Sequence, residues 1–521
     1  MTKAITPETK ASKKLLLVSW VILAVYSVLT FLGAINHELW LDEAQAWVIL
    51  RDVPLAELPH VLNIEGHPPL WYAILYPFVK LGFPTEYVSL ISWFFMALGA
   101  AVLLFKVKLP LLLKAAILAS SGFIYLNSVM LRVYCLIPPL LFLILWIYPK
   151  RREHAVLYGL LIALLANTHV FICGIVGVLG IYMIYELFTE WKCAAKKENI
   201  SKLIGLAIAG TGVLMLVLPL LGSVGANGAI NSHMFVETPY EMLNSVLAFS
   251  IGAKNKHGFF MITALLFFKI AFVVMLVVLR HWRRAFAVEM VFLIFYYISC
   301  GILWTTMPNR AAIFMLSLAF SYCLTQYEKP VFKEYKLSEK ITGRIRGLLT
   351  LLIRADKRAE SIYKVILMSC FAITVPFGCS LLYNDITGCF AGSKETAEYI
   401  SENLEDNAVF VDLCDGMPEI SFYDSSIQIF SVDSCAINTY ARWEYKYRPR
   451  ETAETVLNKL SEYDNLYLIY YNTNPNVVKD NTFFESDGIR EYAFCNAIAI
   501  CEFDKSEIGA YYEYLDELNE K

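Results

Sequence analysis

Two adjacent carboxylates, Asp42 and Glu43, follow directly on a long apolar run, in the stretch LWLDEAQAW at 39–47. Ionised acids are costly beside lipid, so acids kept at a membrane edge point to a function. A carboxylate there can take the proton of a sugar hydroxyl as general base, given a hydroxyl within hydrogen-bond reach. Two adjacent acids also titrate as a pair. Trp40 and Trp47 flank them, and tryptophan favours the membrane interface. A histidine follows in EGHPPLWY at 65–72, where Glu65 and Gly66 precede His67. Pro68 and Pro69 fix the backbone and open the next helix. The imidazole is therefore held rigidly near the membrane surface.

Further polar residues open or close later apolar runs. Arg132 and Tyr134 lie in LRVYCL at 131–136, His169 in ANTHVF at 166–171, and Arg310 at the end of MPNR. Lys254, Lys256 and His257 lie in a polar stretch between two runs. Guanidinium holds phosphate through a rigid fork of donors. The threading given below puts all of these on the outer side of the membrane, with six of the eight histidines (His37, His60, His67, His169, His233 and His257). Acids, imidazoles and guanidinium groups on one face suit a phosphate-bearing substrate. Asp42, Glu43 and His67 could also supply oxygen and nitrogen ligands to a divalent metal, which the sequence leaves open. There is no GxGxxG and no P-loop. The outer side of a cell has no nucleotide supply, so an activated substrate has to arrive there on a lipid.

The elements that must position these groups are membrane helices. The chain has 521 residues, 57% hydrophobic and 17% charged. Globular proteins carry about 45–50% apolar and about 25% charged residues. Repeated apolar runs of span length specify a polytopic α-helical membrane protein. Hydropathy and the Lys/Arg bias predict about 11 transmembrane helices, near 15–35, 86–105, 111–130, 133–148, 155–168, 170–188, 203–222, 259–279, 286–304, 311–325 and 364–383. Each clear basic cluster then falls inside, including Lys150, Arg151, Arg152, Arg280, Arg283 and Arg284. The N-terminus is cytoplasmic, the first loop 36–85 and a long loop 223–258 are outer, and residues 384–521 are exported.

Charge divides the chain at the same point. Residues 384–521 hold 27 Asp and Glu against 10 Lys and Arg, and residues 1–383 hold 20 against 34. The reading is a transmembrane domain at 1–383 and a soluble, extracytoplasmic α/β domain at 384–521. NAVFVDL at 407–413 and NLYLIYY at 465–471 predict strands, and 394–404 and 451–462 predict helices. The twelve cysteines show no CxxC pair and no zinc spacing. Nothing in the chain points to nucleic acid.

The order of these motifs resembles the C-type superfamily of membrane glycosyltransferases. It is closest to the bacterial branch related to protein O-mannosyltransferases and the lipid A aminoarabinose transferase. The likeness is strongest over 36–80 and 128–170: Asp-Glu after the first span, Gly-His-Pro-Pro-Leu-Trp-Tyr, Arg-x-Tyr and Thr-His. It implies a polyprenyl-phosphate-linked sugar donor, an outward-facing site in the plasma membrane, and inverting hexosyl or pentosyl transfer to a cell-envelope acceptor (polysaccharide, lipid or protein). It implies that Asp42, with Glu43 beside it, is the base. It implies that His67 and Glu65 lie near donor or acceptor, and Arg132 near the lipid phosphate, with Tyr134, His169, Lys254, Lys256 and Arg310 as further substrate contacts. Some branches carry a second acid in the next outer loop; here 125–132 contains none. Some relatives use a divalent metal and others do not. The competing reading is a transporter or flippase for a lipid-linked glycan, but such proteins place polar groups near the bilayer midplane, in repeated halves.

Overall fold

The computed structural model describes residues 7–65, 67–227, 238–252, 259–302, 308–331, 358–388, 391–413, 417–442, 451–471, 482–486 and 497–520. Lys254, Lys256, His233 and His257 lie outside the described residues. Eight helices among those described are long and apolar enough to cross a membrane. They cover Lys13–Asn36, Thr85–Phe105, Val133–Lys150, Val170–Glu190, Lys196–Leu218, Phe259–Leu279, Arg283–Gly301 and Ala359–Thr387. The shorter apolar helix Ala155–Ala166 and the helix Pro308–Thr325 stand where the fifth and tenth spans are predicted. The chain is a polytopic helical membrane protein with a sheet-containing C-terminal region.

The third predicted span differs. A helix covers only Leu111–Ala119, Ser120 is extended, and a π-helical turn follows at Gly122–Leu126. Irregular backbone at membrane depth is tolerated where protein buries it, and residues 120–131 are buried throughout. The strays are satisfied by neighbours: the Ser121 N–H donates to Thr374 Oγ1 at 3.3 Å, and Tyr26 Oη donates to the Phe123 carbonyl at 3.0 Å. Gly378 allows the close approach, since a Cβ there would lie 2.6 Å from the Ser121 Cα. The break turns the chain so that Arg132 emerges beside the first loop.

The predicted long loop 223–258 also differs, because it contains the helix Pro239–Ser250. Its start is a reciprocal cap. The Glu241 N–H donates to Thr238 Oγ1 at 3.3 Å, and the Thr238 N–H donates to the Glu241 carboxylate at 2.8 Å.

The first loop folds into three short helices. With α1 (Pro7–Asn36) before them, these are α2 (Leu41–Asp52), α3 (Leu58–Glu65) and α4 (Leu70–Lys80). In the C-terminal region, β1 (Val409–Asp412), β2 (Gln428–Ser431), β3 (Ala436–Ile437), β4 (Leu466–Tyr471), β5 (Thr482–Glu485) and β6 (Ile498–Glu502) form one sheet. Its order is β3-β2-β1-β4-β6-β5. β1 is parallel to both β2 and β4, with Val411 opposite Phe430 and Leu468. Alternate side chains feed two cores: Val409, Val411 and Leu468 pack with Val456 and Leu460, while Phe410, Ile429 and Ile469 pack with Ile400 and Ile420.

The helix Pro418–Tyr423, which follows β1, docks this region onto α2. Trp47 and Phe422 meet edge to face at 6.0 Å, and Arg51 Nη1 donates to the Ser421 carbonyl at 2.6 Å. Gln45 makes a paired contact with Ala441: its Nε2 donates to the Ala441 carbonyl at 2.8 Å, and its Oε1 accepts the Ala441 N–H at 2.9 Å.

Candidate active site

Asp42 and Glu43 occupy the first turn of α2, where the helix dipole favours acids. Successive helical residues point about 100° apart, so the pair divides. Asp42 turns to Arg132, with Oδ2 2.5 Å from Nη1. Both groups keep some solvent access, 31% for Asp42 and 12% for Arg132. Arg132 also lies over two rings, with Cζ 6.0 Å from the Trp40 centroid and 5.6 Å from that of Tyr134.

Glu43 turns the other way and is fully buried. It accepts from His37 Nε2 at 3.0 Å, from the Trp40 N–H at 3.4 Å and from the Leu131 N–H. His37 Nδ1 donates to Asp385 Oδ2 at 2.8 Å, and Tyr125 Oη donates to the same oxygen at 3.0 Å. Burial opposes a charge on His37, but the carboxylates of Asp385 and Glu43 overcome it and hold the imidazole well above its ordinary value. A protonated histidine between two carboxylates thus ties the end of α1 to α2 and to the end of the last span. Glu43 braces the backbone beside Arg132 and does not join Asp42 at the site.

His67 donates from Nδ1 to the Glu65 carbonyl at 2.8 Å, which places the ring proton on Nδ1. Burial, then the nearby Arg132 charge, lowers its pKa to about 4. The charges of Asp42 and Arg310 also act on it. His169 stands beside it, with ring centroids 6.4 Å apart. Its Nδ1 accepts the Phe171 N–H at 3.3 Å, so the proton of the neutral ring sits on Nε2, 3.2 Å from Tyr134 Oη. Burial, then Arg310, His67 and Arg132, keep His169 well below the ordinary value. Arg310, buried in the first turn of its helix, lies over the Phe171 ring at 5.6 Å. Asp42, His67, Arg132, Tyr134, His169 and Arg310 are therefore assembled in one place.

Glu65 makes a different contact: its Oε1 accepts from Gln45 Nε2 at 2.9 Å, next to the Ala441 contact. The ligand set Asp42, Glu43 and His67 is not assembled either, because Glu43 is committed to His37. Among the described residues no three His, Cys, Asp or Glu side chains are grouped to hold a metal ion. In the cluster of His37, Glu43 and Asp385, the acids contact opposite nitrogens of one ring, so no single point reaches all three.

Asp385, Tyr125 and Gln45 are missed by sequence reasoning. His37 and Asp385 are 348 residues apart, and no local pattern connects them. Only the helical start at Leu41 would have separated the roles of Asp42 and Glu43.

No model of a protein family matches the sequence, and no curated protein matches it. Among solved structures, ArnT from Cupriavidus metallidurans in the apo state aligns over 93% of this chain and 98% of its own, with a TM-score of 0.52 and 12% identity. The same protein bound to undecaprenyl phosphate aligns over 92% and 97%, with a TM-score of 0.48 and 11% identity. The likeness runs from the first helices through the C-terminal sheet, and the chain therefore has the fold of ArnT.

Proposed function

We propose that this protein is a membrane glycosyltransferase of the C type. It moves a sugar from a polyprenyl-phosphate donor to a hydroxyl or amine of a cell-envelope acceptor, with inversion, on the outer face of the plasma membrane. The reading is carried by the pair of Asp42 and Arg132 at 2.5 Å, ringed by His67, His169 and Arg310. The resemblance of the motifs and the shared fold support it.

Arg132 is the group for the lipid phosphate. One of its five N–H donors meets Asp42, and the rest of the fork suits phosphate oxygens. Arg310 adds a second positive charge on the far side of His169. His67 and His169 are neutral near pH 7, so they act as hydrogen-bonding groups and add no charge. A phosphate that engages Arg132 competes with Asp42 for the guanidinium and frees that carboxylate to accept from the acceptor hydroxyl. The acceptor oxygen then attacks the anomeric carbon opposite the phosphate. The new C–O bond forms as the bond to the phosphate oxygen breaks. The acceptor proton passes to Asp42, and polyprenyl phosphate leaves with the bonding electrons, its charge balanced by Arg132.

Outward orientation is supported by the Lys/Arg clusters of the predicted inner loops. In the same reading residues 1–383 form the transmembrane domain and 384–521 the outer one, and Lys254 and Lys256 remain substrate contacts on sequence grounds. Proteoliposomes loaded with labelled polyprenyl-phosphate sugars test the reading. Release of free polyprenyl phosphate with transfer of label supports it. Movement of intact labelled lipid across the bilayer without release would establish a flippase in its place.

A further inference from the structure

Resting on that transferase reading, we propose that the C-terminal region completes the site. Glu419 forms, with the carboxyl ends of β1 and β4, a subsite for a hydroxyl-bearing sugar ring next to Asp42.

The helix that carries Glu419, Pro418–Tyr423, lies on α2, the helix that carries Asp42, through the Trp47–Phe422 and Arg51–Ser421 contacts. Glu419 is 2% exposed. Its Oε1 accepts from Tyr471 Oη, while its Oε2 has no hydrogen-bond partner among the described residues. Buried polar atoms rarely stay unpaired without a purpose. Burial raises the Glu419 pKa to about 8, and the charges of Asp412 and Asp42 act in the same direction. Glu419 and Asp42 thus stand on helices packed against each other across the boundary between the helical and sheet-containing parts.

The sheet topology selects the same spot. β1 has β2 on one side and β4 on the other, both parallel to it, so the order reverses at β1. Open α/β sheets bind ligands outside the carboxyl ends of their strands at such a reversal. Asp412 ends β1, Tyr471 ends β4, and Tyr471 holds Glu419 at that end of the sheet.

The chemistry specifies the ligand class. A neutral carboxyl whose Oε1 accepts from Tyr471 offers Oε2–H as a donor. Beside Asp42 and Asp412, that donor suits an uncharged sugar oxygen. Phosphate belongs with Arg132. The hydroxyl-bearing ring is either the sugar being transferred or a sugar of the acceptor.

The test uses the full chain in proteoliposomes with synthetic polyprenyl-phosphate monosaccharides and methyl glycosides as acceptors, reading release of polyprenyl phosphate. Glu419→Ala is expected to lower kcat/KM about tenfold or more. The effect falls on the donor KM if the ring is the donor's and on the acceptor KM if it is the acceptor's. Glu419→Gln, which keeps an N–H donor, restores most of the loss. It also removes a fall in activity that the wild type shows as pH rises through about 8, where Glu419 ionises despite its burial and the charges of Asp412 and Asp42. Binding of sugar-free polyprenyl phosphate stays unchanged in both variants. Wild-type kinetics in Glu419→Ala would overturn the subsite, as would an equal loss of polyprenyl phosphate binding, which would mark a structural role. A wild-type protein inactive with every donor would instead overturn the transferase reading, and the subsite with it.

Discussion

Asp42 and Glu43 are chain neighbours that diverge by about 100° around one helix: Asp42 meets Arg132 at 2.5 Å, and Glu43 meets His37 at 3.0 Å. The two contacts are linked through the chain, because Glu43 also takes the Leu131 N–H, one residue before Arg132. The buried acid fixes the backbone from which Arg132 reaches Asp42. Glu43→Ala is expected to cost about 3–5 kcal/mol of stability, the usual result of stripping one partner from a buried charged pair. Denaturant unfolding in detergent measures it. A variant as stable as the parent would show that the cluster of His37, Glu43 and Asp385 contributes nothing.

Arg132→Ala is expected to weaken binding of polyprenyl phosphate. Charge-assisted hydrogen bonds of this kind contribute about 1.5–3 kcal/mol, or roughly 10- to 150-fold in Kd. Titration of the lipid into the detergent-solubilised protein gives the number. If Kd does not move, Arg132 is an interfacial anchor and the phosphate lies elsewhere.

Histidine titrations pull stability in opposite directions. His67 has a folded pKa of about 4, below its ordinary 6.5. Between those values the unfolded chain binds a proton that the fold refuses, so this term lowers stability as pH falls from 6.5 towards 4. His37 is raised well above 6.5. Its contribution is fully present below 6.5 and is lost as pH rises through the folded value. Thermal melts should therefore show His67→Gln losing less stability than the parent between pH 6.5 and 4. Parallel curves for the two would mean that His67 is charged in the fold.

Much of this architecture can be read from local patterns, and the exceptions share a cause. Apolar runs mark the spans, and β-rich runs mark β1 and β4, because each pattern is complete within a few residues. The third span misleads because hydropathy averages over 111–130 and does not register the turn at Ser120–Gly122. The strands β1 and β2 are both four residues long, but β1 lies in an unbroken apolar run, whereas Gln428 and Ser431 bound β2 and leave only two apolar residues between them. The helix Pro239–Ser250 begins with Thr238 and Glu241 at capping-box spacing, a local signal that reading 223–258 as one loop passes over. Within the site, Asp42, His67 and Arg132 could be chosen by residue type and order. The partners Asp385, Tyr125 and Glu419 could not, because they arrive from positions far along the chain and only packing brings them in.

Gln45 joins the first loop to the C-terminal region, holding Glu65 on one side and the Ala441 backbone on the other. Gln45→Ala leaves buried groups unpaired and is expected to cost about 1–3 kcal/mol. Amide exchange at Ala441 should accelerate while the membrane helices stay protected. Unchanged exchange at Ala441 would show that the docking does not depend on Gln45.

The most direct test is release of polyprenyl phosphate from a lipid-linked sugar by Asp42→Asn in proteoliposomes, beside the parent protein. The substitution keeps the shape of the side chain and removes its basicity. Turnover is predicted to fall about 10²- to 10⁴-fold, the typical worth of a positioned general base, with folding and polyprenyl phosphate binding retained. Parental turnover in Asp42→Asn would contradict the assignment of Asp42 as the base.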